Sequence, residues 1–151
     1  MKNSLPYENA TSGDRAIGEI ERILKSFGCS SFGSMMNYDE GLRIVQFEYR
    51  GRQVSVKASA KGYAAAWLRT HPYTSKTRST RSLYEQKALD VGTVAVCSVL
   101  RDWIKGQIMA VECGILSFEG AFLGQILLGN TGKTCLEYFE SSDAGVLRLS
   151  A

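Results

Sequence analysis

Histidine is nearly missing from this chain, with His71 standing alone, and proline occurs only at Pro6 and Pro72. A single histidine cannot supply a His-based metal set. The four cysteines, Cys29, Cys97, Cys113 and Cys135, form no C-x-x-C pair and fall at irregular spacings, so neither a zinc framework nor a disulfide framework is expected. Cys97 and Cys113 lie in apolar helical sequence and read as small buried hydrophobes in a reduced, intracellular protein. No apolar run reaches the roughly 20 residues that cross a bilayer. The first residues, MKNSLPYENATSGD, lack the basic start and apolar stretch of a secretory leader. A membrane partner and a cofactor are therefore not expected.

Acidic residues are absent over one long stretch. From Tyr49 to Tyr84 there is no Asp or Glu, while Arg50, Arg52, Lys57, Lys61, Arg69, Lys76, Arg78 and Arg81 give it a formal charge of +8. The whole chain carries +3, so the remainder carries −5. A basic stretch on an otherwise acidic protein is the usual footprint of a polyanion partner.

What is present organises into one domain. At 151 residues, 44% apolar and 22% charged, the chain can bury a single core. Residues 1–13 read as a flexible polar tail, 14–140 as the domain, and 141–151 as a second tail. Ile17, Ile20, Leu24 and Phe27 recur at helical spacing from Asp14 to Phe27, and Gly28 suits the stop. Three strands follow: SSFGSMMNY, with Phe32, Ser34, Met36 and Tyr38 on one side; LRIVQFEY, with Val45, Phe47 and Tyr49; and QVSVKA, with Val54, Val56 and Ala58. Turns at Asp39-Glu40-Gly41 and Arg50-Gly51 make these an antiparallel meander. AKGYAAAWLR predicts a short helix that ends before His71-Pro72, and THPYTSKTRSTRS a loop. A long helix capped by Ser82 runs to about Cys113, with Gly114 breaking it. Ser117 caps FEGAFLGQILL, and CLEYFE makes a last helical turn or two. The expected class is α+β, with a sheet on one side and helices on the other.

GNTGKT, at Gly129–Thr134, has the look of a nucleotide-binding loop. That loop requires glycine five positions before Gly132, where Leu127 stands, and only 17 residues remain after Thr134 for the rest of a parallel sheet. The segment is expected to be a polar turn. His71 sits in a basic loop with no G-x-S-x-G context in the chain, and Glu112, Glu119 and Glu137 show no acid/base spacing. No catalytic residue is assigned.

The segment from Asp102 to Thr134 resembles the C-terminal half of a group of small uncharacterised phage and prophage proteins, through Ile104, Lys105, Ala110, Val111, Glu112, Gly114, Ile115, Phe118, Glu119, Phe122 and Leu123. FGCSSFG and FEYRGRQV resemble the same group's strand region through Phe27, Gly28, Phe32, Gly33, Gly51, Arg52, Gln53 and Val54. The resemblance implies a phage or prophage origin, hence the cytoplasm of a host cell. The order of helix, meander and long helix is also similar to the core of single-strand annealing proteins, which implies oligomers holding single-stranded DNA beside the sheet.

These readings converge on a non-catalytic protein that binds nucleic acid, preferably single-stranded. Arg50, Arg52, Lys57, Lys61, Arg69, Lys76, Arg78 and Arg81 are the expected phosphate contacts, and Tyr63, Trp67 and Tyr73 the expected stacking residues. The apolar Leu89–Leu100 stretch favours a homo-oligomer. The alternative is a phage inhibitor that binds a host protein, such as a defence effector.

Overall fold

A computed structural model describes residues 4–141; the expected C-terminal tail lies outside them from residue 142 on. The element order is α1 (Gly13–Phe27), β1 (Ser31–Asn37), β2 (Leu42–Tyr49), β3 (Arg52–Ser59), α2 (Ala60–Thr70), α3 (Arg81–Glu112), α4 (Phe118–Phe122) and α5 (Cys135–Glu140), with single 3-10 turns at Leu123–Gln125 and Gly129–Thr131. The protein is α+β, as its sequence predicts.

Local chemistry sets the boundaries. The Ser12 hydroxyl caps α1 by accepting from Arg15 N at 3.2 Å, and Gly28, at φ 113, ends it in a left-handed conformation open to glycine. The strands form an antiparallel sheet in the order β1-β2-β3, pairing Ser34 with Val45 and Val45 with Val56. Alternation turns Phe32, Val45, Phe47, Tyr49, Val54, Val56 and Ala58 toward one face. There they meet Ile20 and Leu24 of α1, Leu100, Ile104 and Ile108 of α3, and Phe118 and Phe122 of α4. Each large apolar side chain buried in this core contributes about 1.5–3 kcal/mol.

Helix α3 is much longer than the sheet. Its 32 residues span about 48 Å, against about 23 Å for an eight-residue strand. Its C-terminal half covers the sheet, and its N-terminal half needs another partner. α2 supplies it by running back antiparallel, so that Ala64 and Trp67 pack on Ala88 in a second small core. The crossing is close: a Cβ on Gly92 would lie 2.5 Å from the Ala60 carbonyl oxygen. The N-terminal segment then straps this second core. Leu5 packs into it, Tyr63 donates to the Pro6 carbonyl at 2.6 Å, and Tyr7 donates to Asp102 Oδ2 at 2.8 Å.

Several expectations are corrected. Residues 4–12 are tied down rather than forming a loose tail, because a half-exposed arm core needs a cover. The cap of α3 is Thr80, whose hydroxyl accepts from Leu83 N at 3.2 Å, so the helix begins one residue before Ser82. FEGAFLGQILL does not form one helix. After Phe122 the chain passes through a 3-10 turn and pairs Ile126 with Val54 and Leu127 with Thr134, covering the outer edge of β3. Cys113, expected to be buried, is the exposed C-cap of α3, whereas Cys97 is buried. Within the Leu89–Leu100 stretch, Gly92, Ala95, Val96, Cys97, Ser98 and Leu100 are buried, while Leu89, Val91, Thr93, Val94 and Val99 are half-buried and Asp90 is exposed.

Two measurements check this packing. Gly92→Ala should lower stability by about 1–3 kcal/mol in urea unfolding, since α2 and α3 must separate; Gly106→Ala, where a Cβ meets nothing within 4 Å, should raise it by roughly 0.5–1 kcal/mol. The Arg101 guanidinium, donating to Asp102 at 2.9 Å, holds that carboxyl below the usual range, and Tyr7 does so to a smaller extent. A depressed carboxyl contributes stability above its unfolded pKa and loses it as pH falls through the folded one. Asp102→Asn should therefore be less stable than wild type near neutral pH, with the difference vanishing in acid, as read by unfolding midpoints across pH.

Candidate nucleic-acid interface

The acid-free stretch does not fold into one patch. β3 separates it into a sheet end and an arm end, about 23 Å apart along the strand. At the sheet end, Arg50 and Gly51 form the two-residue turn that closes Tyr49 against Arg52, with φ of 47 and 78. Both are left-handed, the geometry of a tight hairpin turn, and it costs a non-glycine residue about 1–2 kcal/mol. Arg50 lies over its neighbour Tyr49 at 5.1 Å. Arg52 pairs with Glu119 at 4.0 Å, and Lys57 pairs with Glu137 at 3.5 Å on the face of the sheet away from the core. Lys61, past the opposite end of β3 in the first turn of α2, donates to the Asp39 carbonyl at 2.6 Å. Three of these four bases are thus engaged within the protein.

The arm end is different. Arg69 ends α2, Lys76 and Arg78 stand in the loop 71–80, and Arg81 opens α3. Among the described residues no carboxylate lies within 4.0 Å of any of the four. The loop that presents them is stiffened from behind. Tyr84 donates to the His71 carbonyl at 2.6 Å, Tyr73 to the Ser79 carbonyl at 2.7 Å, and Thr74 N to Thr77 Oγ1 at 3.1 Å. His71 stacks flat on Trp67 at 4.4 Å, and its Nε2 meets Glu8 at 3.1 Å. His71 is therefore a structural staple between the loop and the N-terminal strap.

The expected stacking residues are spoken for. Trp67 is buried, 6% exposed, under His71 and Tyr84. Tyr63 is half-buried with its hydroxyl on Pro6, and burial raises its pKa. Tyr73 packs against Tyr84 at 5.5 Å and carries Arg81 over its ring at 5.0 Å. These rings build the second core and the loop, and Trp67 leaves the set of surface contacts. Lys87, beyond the acid-free stretch, joins the arm instead: its Nζ lies 5.9 Å from the Trp67 ring centre. Its position three residues after Tyr84 on α3 was the available signal, masked by Glu85 between them.

GNTGKT is a turn. Leu128 N donates to the Lys133 carbonyl at 2.9 Å across it, and Gly132 takes φ 69. Thr134 is the buried cap of α5, sharing a reciprocal capping pair with Glu137. That pairing, first through the Thr134 backbone N–H, draws the Glu137 carboxyl below its usual pKa. Among the described residues no group of three His, Cys, Asp or Glu is placed to hold a metal ion, and no helix is long and apolar enough to cross a membrane. Cys29 has its thiol pushed up to about 11 by burial.

No protein-family model matches this chain, and neither a curated protein nor a solved structure is similar enough to count as a match. The resemblance to phage proteins rests on the residues quoted above alone.

The turn makes a direct prediction. Thr134→Ala should cost about 1 kcal/mol of stability in urea unfolding, and Lys133→Ala almost nothing. A phosphate-binding loop would show the opposite pattern of importance, with Lys133 needed to bind a nucleoside triphosphate.

Proposed function

We propose that this chain, as a protein of the phage type that its sequence resembles, binds single-stranded nucleic acid in the host cytoplasm through the tip of the α2–α3 arm, without covalent chemistry. One observation carries the reading: Arg69, Lys76, Arg78 and Arg81 converge on one hairpin loop with no acidic partner among the described residues. The serine and threonine hydroxyls of the same loop add donors for phosphate oxygens. A helical-hairpin tip is convex. A flexible single strand can wrap its phosphates around such a tip, whereas a duplex, stiff over about 150 base pairs, touches it at few points. With Trp67, Tyr63 and Tyr73 committed inside the protein, binding is led by phosphates and does not read base identity.

The alternative, a phage inhibitor docking on a host protein, has its own observation. Leu123, Leu136 and Phe139 are exposed around the 3-10 turn and α5, a local apolar surface far from the basic loop in sequence.

Fluorescence anisotropy with a labelled oligothymidylate and a matched duplex separates the two. Four phosphate contacts on a single strand predict a salt slope near −3, about a fiftyfold loss of affinity between 50 and 200 mM salt. Arg78→Ala with Arg81→Ala should flatten that slope by about 1.4, while Arg52→Ala leaves it unchanged. No binding at low salt, or equal losses for Arg52→Ala, would sink the nucleic-acid reading and turn the search to Leu136 and Phe139.

A further inference from the structure

The two edges of the sheet are treated differently. The outer edge of β3 is covered by the chain itself, with Leu127 N donating to the Gln53 carbonyl at 2.8 Å. β1 has β2 on one side only, and among the described residues no main-chain hydrogen bond reaches its other side. Every second residue of an edge strand points its N–H and C=O outward, so β1 presents a row of unpaired groups. Edge strands are ordinarily protected by lysine, proline, a bulge or shortness. Over seven residues, SFGSMMN, β1 has no charge and no proline, and its register with β2 is unbroken. Its exposed large side chains are Met35, 57% exposed, and Tyr38 in the following turn, 85% exposed.

We propose that this edge pairs antiparallel with the β1 edge of a second copy, about a two-fold axis at Ser34, to make a continuous six-stranded sheet. The strand is self-complementary in that register. Met35 falls opposite Gly33 of the second copy, twice by symmetry, so a large exposed side chain lies over a bare backbone. Phe32 falls opposite Met36, a sulfur–aromatic pair, and Ser31 opposite Asn37. The even register keeps the core-facing residues of both copies on one side, so both helical layers stay together. Charge agrees as well. Asp39 and Glu40 lie in the turn just past one end of β1, the end that antiparallel pairing sets beside the start of β1 in the second copy. Lys25 borders that start, beside Glu21, in a hollow with Cys29, Ser30 and Ser31. The dimer places this contact on the sheet and leaves the arm loops free, and it rests on no part of the nucleic-acid reading.

Sedimentation equilibrium of the full chain, from low to high micromolar concentration, tests the pairing. The expected result is a reversible species of twice the 16.6 kDa chain mass. Met35→Lys puts a charge on the edge at an exposed site. It should raise the dimer dissociation constant at least about tenfold while leaving the urea midpoint of the monomer unchanged. Register is read by cysteine pairing in a Cys113→Ser background, with oxidised glutathione as oxidant. Ser34→Cys should give a disulfide-linked dimer, because facing Cα atoms in a sheet lie about 4.5–5.5 Å apart, whereas Tyr38→Cys should not. A monomer at every concentration, whatever else covers the edge, overturns the proposal. So does a dimer indifferent to Met35→Lys, or one that crosslinks at position 38 rather than 34.

Discussion

The rest of the molecule follows from one mismatch of lengths. α3 is about twice as long as the strands it packs on, so no single sheet face can cover it. An apolar helix left half bare would expose Leu89, Val91 and their neighbours to water. The chain answers by folding α2 back along the uncovered half, which requires a backbone approach that only glycine permits at position 92. That arrangement is still thin, and the N-terminal segment closes it through Leu5, Tyr7 and Glu8.

The same construction decides where charge is presented. Because α2 and α3 form a hairpin, the loop between them stands at its tip, and Arg69, Lys76, Arg78 and Arg81 stand there together. The aromatic residues in the same stretch of sequence serve the opposite purpose. Trp67, His71, Tyr73 and Tyr84 stack behind the loop and hold it in shape, so the loop has lost its free rings and gained a fixed outline. At the other end of β3, the C-terminal segment wraps the sheet edge and brings Glu119 and Glu137 against Arg52 and Lys57. One continuous basic stretch becomes an engaged half and an available half.

How far the sequence could be read varies with the range of the interaction. α1, the three strands and both hairpin turns were legible to within a residue or two, since their signals are the periodicity of a few neighbours and a glycine at 28, 41 or 51. The ends of helices were harder. Thr80 and Ser82 are both good caps, and only the geometry of the loop chose between them. FEGAFLGQILL carries helical residues throughout, yet pairing of Ile126 with Val54 won over local propensity.

By itself, then, the sequence determined the α+β class, the meander, the long helix and the existence of a basic region, because each follows from contacts between residues close in the chain. Tertiary structure alone decided which bases remain free, which aromatic rings are buried and which sheet edge is covered. Lys57 and Glu137 are 80 positions apart, and Tyr7 and Asp102 are 95. No local pattern encodes such partners; they meet only because the core brings their elements together.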